Sequence, residues 1–422
     1  MPDLRVLRIC HAGGDSGHRA RDRALLRAGV DLTLVVPASW PGADADISDV
    51  PVRRLPVRRA GDVNRHAYLE PSALAALVRD VRPDLVDIHE EPVSLAARQW
   101  LRAAAALPVV MYTAQNLDKR WPPPFAQYER AALQRAAGMY PCSNQAASVL
   151  RGKGYRGQLQ VLPLGIDDDV HRAGDQVLPA EEVVLGLVGR LVPEKGVLDA
   201  VHVLAAVNER LPARLVVIGD GPERARAQDL SRRLGIAKRC TWLPWCPVEQ
   251  LAAAYRRMHI VLVPSLATAR WVEQFGRVIT EGRANGAVPV GYTSGSIPEV
   301  VGQTGVLVPE GDVAALSAEA TELLTDPARW SSLRQRGRDA GALLSWDYVA
   351  AGQLALYEAA VVAEPSPMSR ASRRTRCVAR REYGAPATTP AGARPFALPF
   401  LREAGAAPRL LAALVDRTTG QA

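Results

Sequence analysis

Short apolar runs and longer segments of helical period alternate along almost the whole chain, and this alternation restricts the fold more than any other feature. In the first half, residues 159–164 have the composition of a buried strand, and so do residues 4–10 and 109–113. Residues 19–28 and 125–137 follow them with the spacing of amphipathic helices. A strand followed by a helix, repeated many times, is typical of parallel sheets that are covered on both faces. The sequence therefore predicts the α/β class with doubly wound sheets.

The alternation stops once and then starts again, which indicates two domains. Residues 172–182 are polar and lack any period, whereas strands are predicted again at 183–188, 214–218 and 240–243. A chain of 422 residues is long enough for two domains of ordinary size, and we expect their sheets to face each other across a cleft. We place an N-terminal domain at 1–170, a linker at 171–182 and a second domain at 183–345.

The positive charge of the chain is concentrated at its end. The formal net charge is +8, and ten arginines against four acidic residues after position 363 account for six of these charges. The rest of the chain is close to neutral, so we expect no nucleic-acid binding by the two domains. Residues 363–422 are rich in Pro, Ala, Gly and Thr, which predicts a basic, disordered tail. Peripheral contact of this tail with anionic lipid head groups is left open.

The sequence also predicts a cytoplasmic protein without a metal. Its first residues lack a signal-peptide pattern, and no apolar run is long enough to cross a bilayer. The five cysteines are scattered, and Cys240 and Cys246 have no second pair with which to form a zinc site. Nothing in the sequence predicts an oligomeric state.

Three glycine-rich turns follow predicted strands, at positions where open α/β sheets bind ligands. Gly14 lies in the first turn, Gly189 opens the second, and Gly219 lies in the third. The second turn also contains Arg190 and Lys195, which offer a planar fork and a point charge to a diphosphate. Ordinary tight turns, and a surface ion pair made by Lys195, are the alternative interpretation.

The segment 264–281 also follows a predicted strand, and a short helix begins within it. Glu273 precedes the helix and Glu281 lies inside it, with Gly276 between the two carboxylates. A helix that begins at the carboxyl edge of a sheet directs its free amides into the crevice. The arrangement suits a polyhydroxylated anionic ligand, although two charges on a solvated helix face are the alternative.

Taken together, these segments strongly resemble the retaining GT-B glycosyltransferases of family 4. The resemblance covers nearly the whole second domain in order and spacing, and it continues more loosely through the first domain. It implies two Rossmann-like domains facing a cleft, and a C-terminal helix at 346–362 that crosses back to the first domain. The matching residues of the second domain are Gly189-Arg190, Glu194-Lys195-Gly196, Ile218-Gly219-Asp220-Gly221-Pro222, Pro264-Ser265, Glu273, Glu281, Gly286-Ala287-Val288-Pro289-Val290, Gly295 and Pro298-Glu299.

The resemblance also implies catalytic roles. Arg190 and Lys195 would bind the diphosphate of a nucleotide-sugar donor and stabilise it as a leaving group without a metal. Glu273 would accept hydrogen bonds from the donor sugar, and Glu281 would bind the ribose hydroxyls. The donor is a co-substrate, and no cofactor is implied.

Further donor contacts are implied for backbone groups. Phe275 and Gly276 would present their amides to sugar and phosphate at the start of the helix. Gly14, Gly189 and Gly219 would let the backbone approach the donor.

The acceptor side of the cleft departs from the family pattern. Gln115 stands where family members commonly have a histidine, and an amide cannot exchange a proton at neutral pH. His89 and Asn116 are further candidates for this side, although a structural role is the alternative for His89.

We therefore predict a retaining glycosyltransferase that moves a sugar from a nucleoside diphosphate to an acceptor hydroxyl. The acceptor would be a glycan, a glycolipid or a small molecule. Two alternatives stay open at this point. One is a nucleotide-sugar epimerase on the same fold, and the other is a degenerate, nucleotide-sugar-binding partner subunit suggested by Gln115.

Overall fold

The computed structural model describes residues 4–43, 49–178, 181–341 and 344–362. The predicted basic tail at 363–422 lies outside the described residues. Within them, no helix is both long enough and apolar enough to span a membrane.

The first domain is built on a seven-stranded parallel sheet with the strand order β3-β2-β1-β6-β7-β8-β9, and β4 pairs with β5 in a separate antiparallel hairpin. The strands are β1 Arg5–Ile9, β2 Asp31–Pro37, β3 Val52–Leu55, β4 Val57–Arg58, β5 Ala67–Tyr68, β6 Leu85–Ile88, β7 Val109–Thr113, β8 Gly138–Pro141 and β9 Gln158–Leu159. The helices are α1 Ala20–Arg27, α2 Pro71–Val81, α3 Leu95–Ala103, α4 Phe125–Arg135 and α5 Asn144–Gly152.

The second domain has a six-stranded parallel sheet with the order β12-β11-β10-β13-β14-β15. Its strands are β10 Val183–Val188, β11 Ala213–Ile218, β12 Cys240–Leu243, β13 Ile260–Val263, β14 Val288–Tyr292 and β15 Val306–Val308. The helices are α6 Val197–Asn208, α7 Arg224–Arg233, α8 Val248–Tyr255, α9 Arg277–Ala284, α10 Ile297–Val301, α11 Val313–Thr325, α12 Pro327–Gly341 and α13 Trp346–Val362.

Helices cover both faces of each sheet, as the near-continuous apolar strands require. Four of the five residues of β1 are buried: Leu7 and Ile9 pack into a core with α3, and Val6 packs into another with α1. Burying apolar side chains on both faces of the strands removes them from water, which is the main driving force for this architecture. The predicted α/β fold of two Rossmann-like domains is thereby confirmed.

The C-terminal helix α13 returns to the first domain, as predicted. Leu356 and Tyr357 lie in the same core as Leu25 of α1. The Tyr357 hydroxyl also donates a hydrogen bond to Asp87 of β6 at 2.7 Å, and Gln353 donates another at 3.0 Å. These hydrogen bonds therefore attach α13 to the sheet of the first domain.

One predicted strand is wrong for most of its length, and three short elements were not predicted. The strand expected at 159–164 ends at Leu159, because Pro163 lacks an amide and only isolated bonds, from Gln160 and Leu162, continue alongside β8. Strand β3, the hairpin β4–β5 and helix α10 contain or adjoin prolines that the sequence pattern treats as breaks.

Candidate functional site

Three loops of the second domain meet at the carboxyl edge of its sheet, and two glycines allow this close packing. A Cβ atom on Gly219, where φ is +137°, would lie 1.9 Å from the carbonyl oxygen of Gly189. A Cβ atom on Gly196, where φ is +64°, would lie 2.1 Å from the carbonyl oxygen of Pro264. Only glycine combines these φ values with such close backbone contact. The loops after β10, β11 and β13 therefore form one continuous surface.

Lys195 and Glu273 are paired on this surface. The Lys195 Nζ lies 2.5 Å from a carboxylate oxygen of Glu273, and the Ser265 hydroxyl donates to the same oxygen at 3.0 Å. The ammonium also lies 5.1 Å from the centre of the Trp271 ring, within the range of a cation–π contact. Glu273 is only 7% exposed, so its charge is held by two donors with little access to water. This arrangement prepares a carboxylate and a cation for exchange with a ligand.

Arg190 is the second cation of the loop after β10. It is half-buried, and it has neither a hydrogen bond nor an ion pair with any residue that the structure describes. A half-buried guanidinium without an acidic partner keeps its fork of donors available for an anion.

Glu281 lies one helix turn into α9 and is fixed by two side chains. Tyr255 of α8 donates a hydrogen bond to one carboxylate oxygen at 3.2 Å, and Arg277 lies 3.0 Å from the other. Burial raises the pKa of Tyr255 well above its usual value, and the Glu281 carboxylate raises it further, so Tyr255 stays a donor at neutral pH. Glu281 is therefore a pre-oriented acceptor for hydroxyl groups.

The start of α9 offers free amides beside Glu273. Neither the Phe275 nor the Gly276 amide has a hydrogen-bond acceptor among the described residues. The Phe275 side chain is buried, with 5% of its surface exposed. It packs with Cys142 of the first domain and Ile297 of the second. The benzyl group thus anchors the loop at the domain boundary while the amides stay available.

Asn116 joins the two domains at Glu273. Its side-chain amide donates a hydrogen bond to the Glu273 carbonyl oxygen at 2.8 Å and lies 3.4 Å from the Ser296 hydroxyl. Gln115 is half-buried, and its side-chain oxygen accepts a bond from the Leu117 amide at 3.3 Å. The loop after β7, which contains Gln115 and Asn116, therefore contacts the loop that carries Glu273.

His89 is held by two tyrosines of the first sheet. Its ring stacks on Tyr112 with 4.0 Å between centroids, and its Nδ1 lies 3.1 Å from the Tyr140 hydroxyl. Burial lowers the pKa of His89 well below its usual value, and Arg8 lowers it further, so the ring is neutral. These contacts are those of a packed structural histidine, which was the alternative interpretation of the sequence.

A histidine and a carboxylate that the sequence did not pair lie together after β1 and β6. Glu90 is 1% exposed and accepts bonds from both the amide and the Nδ1 of His11, at 2.7 and 2.6 Å. Burial alone lowers the pKa of His11, but Glu90 outweighs burial and the net pKa is raised. Trp40 and His66 flank the His11 ring at centroid distances of 4.8 and 5.7 Å. The first domain thus contains a histidine–carboxylate pair beside an aromatic ring, at the carboxyl ends of β1 and β6.

Gly14 ends a 3-10 turn whose carbonyls are already engaged. The buried Arg19 donates to the carbonyl oxygens of Gly13 and Gly14 at 2.8 and 3.2 Å. Amides of this turn are engaged as well, since those of Gly13 and Asp15 donate to the carbonyl oxygens of Cys10 and Ala12 at 3.2 and 3.1 Å.

Arg190, Lys195, Glu273 and Glu281 are thus brought to one edge of the second sheet, and Asn116 reaches it from the first domain. Sequence reasoning missed two contributors, Tyr255 and Trp271, and gave no separate role to Ser265, because no local pattern links these residues to their partners. Among the described residues, no three His, Cys, Asp or Glu side chains are grouped as a metal site.

Two family models match this chain. One, described as Glycosyl transferases group 1, matches residues 173–340, and the other, described as Glycosyltransferase Family 4, matches residues 23–170. The chain is 33% identical over 220 residues to D-inositol 3-phosphate glycosyltransferase from Segniliparus rotundus, which covers 48% of this chain and 47% of that protein. It is 27% identical to 2-deoxystreptamine glucosyltransferase from Streptomyces kanamyceticus, over 69% of this chain and 82% of that protein. The chain thus spans about half the length of the inositol phosphate glycosyltransferases that it matches.

Solved structures share the fold. Sucrose-phosphate synthase from Thermosynechococcus elongatus matches with a TM-score of 0.66 and 21% identity, covering 84% of this chain and 98% of that one. Anabaena HepE in complex with UDP and glucose matches with a TM-score of 0.63 and 17% identity, over 83% and 98% of the two chains. At these identities the likeness concerns the arrangement of the two domains.

Proposed function

This chain belongs to the group 1 glycosyltransferases of the GT-B fold, and from that premise we propose that it transfers a sugar from a nucleoside diphosphate to an acceptor hydroxyl with retention at the anomeric carbon. The observation that carries the proposal is the convergence of two cations and two buried carboxylates at one sheet edge. Arg190 and Lys195 carry the positive charges, and Glu273 and Glu281 carry the negative ones.

In this proposal the diphosphate binds between the loop after β10 and the start of α9. Arg190 binds it with its unpaired guanidinium, and Lys195 moves from Glu273 to a phosphate oxygen. The free amides at Phe275 and Gly276 complete the anion site. Glu281, already oriented by Tyr255, accepts hydrogen bonds from the ribose hydroxyls.

The transfer step needs little from the protein beyond charge and position. The bond between the anomeric carbon and the diphosphate oxygen breaks, and the oxygen leaves with the electron pair. Arg190 and Lys195 stabilise that negative charge without a metal. The acceptor oxygen forms the new bond on the same face, and its proton passes to the departing phosphate oxygen. Gln115 cannot take this proton, so its proposed role is to hold a hydroxyl.

Glu273 gains a free carboxylate oxygen when Lys195 turns to the phosphate. That oxygen can accept hydrogen bonds from the donor sugar, while Ser265 continues to hold the carboxylate. Because Asn116 holds the Glu273 backbone, the sugar site depends on contact between the two domains. Such contact also excludes water that would hydrolyse the donor.

The acceptor is proposed to be a compound with several hydroxyls on a ring, bound against the first domain. Two relatives are named for transfer to inositol phosphate and to 2-deoxystreptamine, which supports testing such compounds first. The charged His11–Glu90 pair and the adjacent Trp40 offer a hydrogen-bond donor and an apolar ring face on that side.

The proposal is tested first by donor binding and then by the product. Thermal-shift measurements with UDP-, GDP-, ADP- and dTDP-sugars should show stabilisation by one base, and Arg190→Ala should reduce it. Arg210→Gln, at an exposed position of the second domain, is the charge-matched control. Proton NMR of the product should then show the anomeric configuration of the donor. Absence of stabilisation by all four donors, or an inverted product, would contradict the proposal.

A further inference from the structure

A groove of about 690 Å³ lies on the first domain, away from the donor loops. It is bounded by the loop at residues 118–121, by α4 and by the chain at residues 153–157, just after α5. Its volume is within the range of cavities that hold small organic ligands. No role for this groove follows from the sugar-transfer site described above.

The groove has an excess of positive charge that the protein does not neutralise. Two of its acidic residues, Asp118 and Glu129, lie 4.0 and 2.7 Å from the ammonium of Lys153. Arg120 and Arg130 are exposed and have no ion pair with any described residue. Their guanidinium forks are therefore available to an anion at the rim of the groove.

Trp121 also lines the groove, and it carries a donor without a partner in the described part of the chain. Its indole nitrogen is buried and has no hydrogen-bond partner among the described residues. A buried N–H without an acceptor is unfavourable, and a ligand oxygen that reached it would supply the missing hydrogen bond. The ammonium of Lys119 lies 5.9 Å from the centre of the Trp121 ring. Burial lowers the pKa of Lys119, and Lys153 adds to this effect, so an anion beside it would relieve an unfavourable charge.

We propose that this groove binds a phosphate ester, with the phosphate on Arg120, Arg130 and Lys119 and the organic part on Trp121. Three cations that line one groove match the charge of a phosphate, and an arginine fork matches its oxygen geometry. Nucleic acid is a poor fit, since the chain up to residue 363 carries only about two surplus charges of the eight.

The groove is separate from the reaction centre. None of the residues that line the groove belongs to the loops after β10, β11 and β13 that carry the proposed donor site. The proposal therefore does not rest on the proposed sugar transfer. It concerns a second site on the loop that begins at Gln115.

The test compares two double variants of the full chain. Arg120→Gln/Arg130→Gln removes the unpaired cations of the groove, and Arg210→Gln/Arg336→Gln removes two exposed arginines of the second domain as a matched control. Calorimetry with glucose 6-phosphate, with glucose as the uncharged control, should show saturable binding by the wild type. The groove variant should weaken this binding about tenfold or more. The control variant should change it less than about twofold.

A second arm and a second variant distinguish the sources of phosphate and the role of the indole. Flotation with vesicles of phosphatidylglycerol, against phosphatidylcholine alone, tests a lipid head group as the source. Binding in either arm that the groove variant loses supports the site and identifies its source. Trp121→Phe should also weaken the binding, because it removes the N–H while keeping a ring. Binding that the groove variant retains, or no binding in both arms, would overturn the proposal. UDP binding measured on the same samples should be unchanged, which separates this outcome from failure of the donor site.

Discussion

Lys195 and Glu273 hold each other at the edge of the second sheet, with 2.5 Å between the ammonium nitrogen and a carboxylate oxygen. The cation proposed for the diphosphate is thus neutralised by the carboxylate proposed for the sugar. When the donor binds, Lys195 must exchange Glu273 for a phosphate, and Glu273 must exchange Lys195 for the sugar. Part of the free energy gained from these two contacts therefore offsets the loss of the ion pair. The two residues should therefore respond differently when either one is removed.

Lys195→Ala should weaken UDP binding, whereas Glu273→Gln should not. Removing the lysine deletes a charge-assisted contact with phosphate, for which about 10- to 100-fold is expected. Glu273→Gln frees the lysine from its partner and should leave UDP affinity equal or tighter, while turnover falls by about 100-fold or more because the sugar contact is lost. Calorimetry and initial rates on the same preparations measure both. Equal loss of UDP affinity in the two variants would contradict the exchange.

Glu281→Gln should weaken binding of the nucleoside part of the donor. The carboxylate accepts from Tyr255 and faces Arg277, and an amide of the same shape keeps one acceptor but loses the charge. A loss of about tenfold in UDP affinity is expected. Tyr255→Phe is the matched control, because it removes only the hydroxyl that orients Glu281 and should cost less. If Tyr255→Phe weakened UDP more than Glu281→Gln, the carboxylate would not be the ribose contact.

Gly219→Ala should destabilise the second domain. The added Cβ atom would lie 1.9 Å from the Gly189 carbonyl oxygen, at a φ of +137° that other residues avoid. The strain and the displaced loop should cost about 1–3 kcal/mol or more. Gly235→Ala is the control. Its φ is +71°, but nothing lies within 4 Å of the added Cβ atom, so only the cost of the positive φ remains. Urea unfolding of both variants should place Gly219→Ala clearly below the control.

Much of the architecture is predictable because strands and helices have local patterns. Strands such as Val183–Val188 and Cys240–Leu243 were predicted at the residues where the structure has them. Segments with two or four residues and flanking prolines, such as Val52–Leu55, have too little pattern to separate a strand from a loop. The candidate ligand-binding loops could also be located, because open α/β sheets bind ligands at the carboxyl ends of their strands, and the predicted strands show where those ends are.

The pairs within the site are not predictable in this way. Asn116 and Glu273 are 157 residues apart, and Tyr255 and Glu281 lie on different helices. Their contact depends on strand order and on how the two domains meet, and neither is contained in a local period. The sequence indicated which loops to examine, but it could not show that Lys195 is paired with Glu273.

The His11–Glu90 pair should give the first domain a pH-dependent stability. Burial lowers the pKa of His11, but Glu90 together with Glu91 raises it above its usual 6.5. Burial raises the pKa of Glu90, but His11 together with His66 lowers it below its usual 4.5. The contribution of His11 is fully present below pH 6.5 and is lost as the pH rises through its folded-state pKa. That of Glu90 is present above pH 4.5 and is lost as the pH falls through its own folded-state pKa. Between these values both groups are charged, and the pair contributes most.

His11→Gln should therefore lower the melting temperature most at about pH 5–6, and the difference from wild type should shrink toward pH 9. Each kcal/mol lost corresponds to about 2–4 °C for a domain of this size. His66 also faces Glu90, at 3.9 Å, so it must be kept in all variants. His18→Gln is the control with the opposite sign: burial, with Arg277, lowers the pKa of His18, so its removal should not destabilise the protein at low pH. A His11→Gln difference that is constant from pH 5 to pH 9 would show that His11 acts through packing rather than through charge.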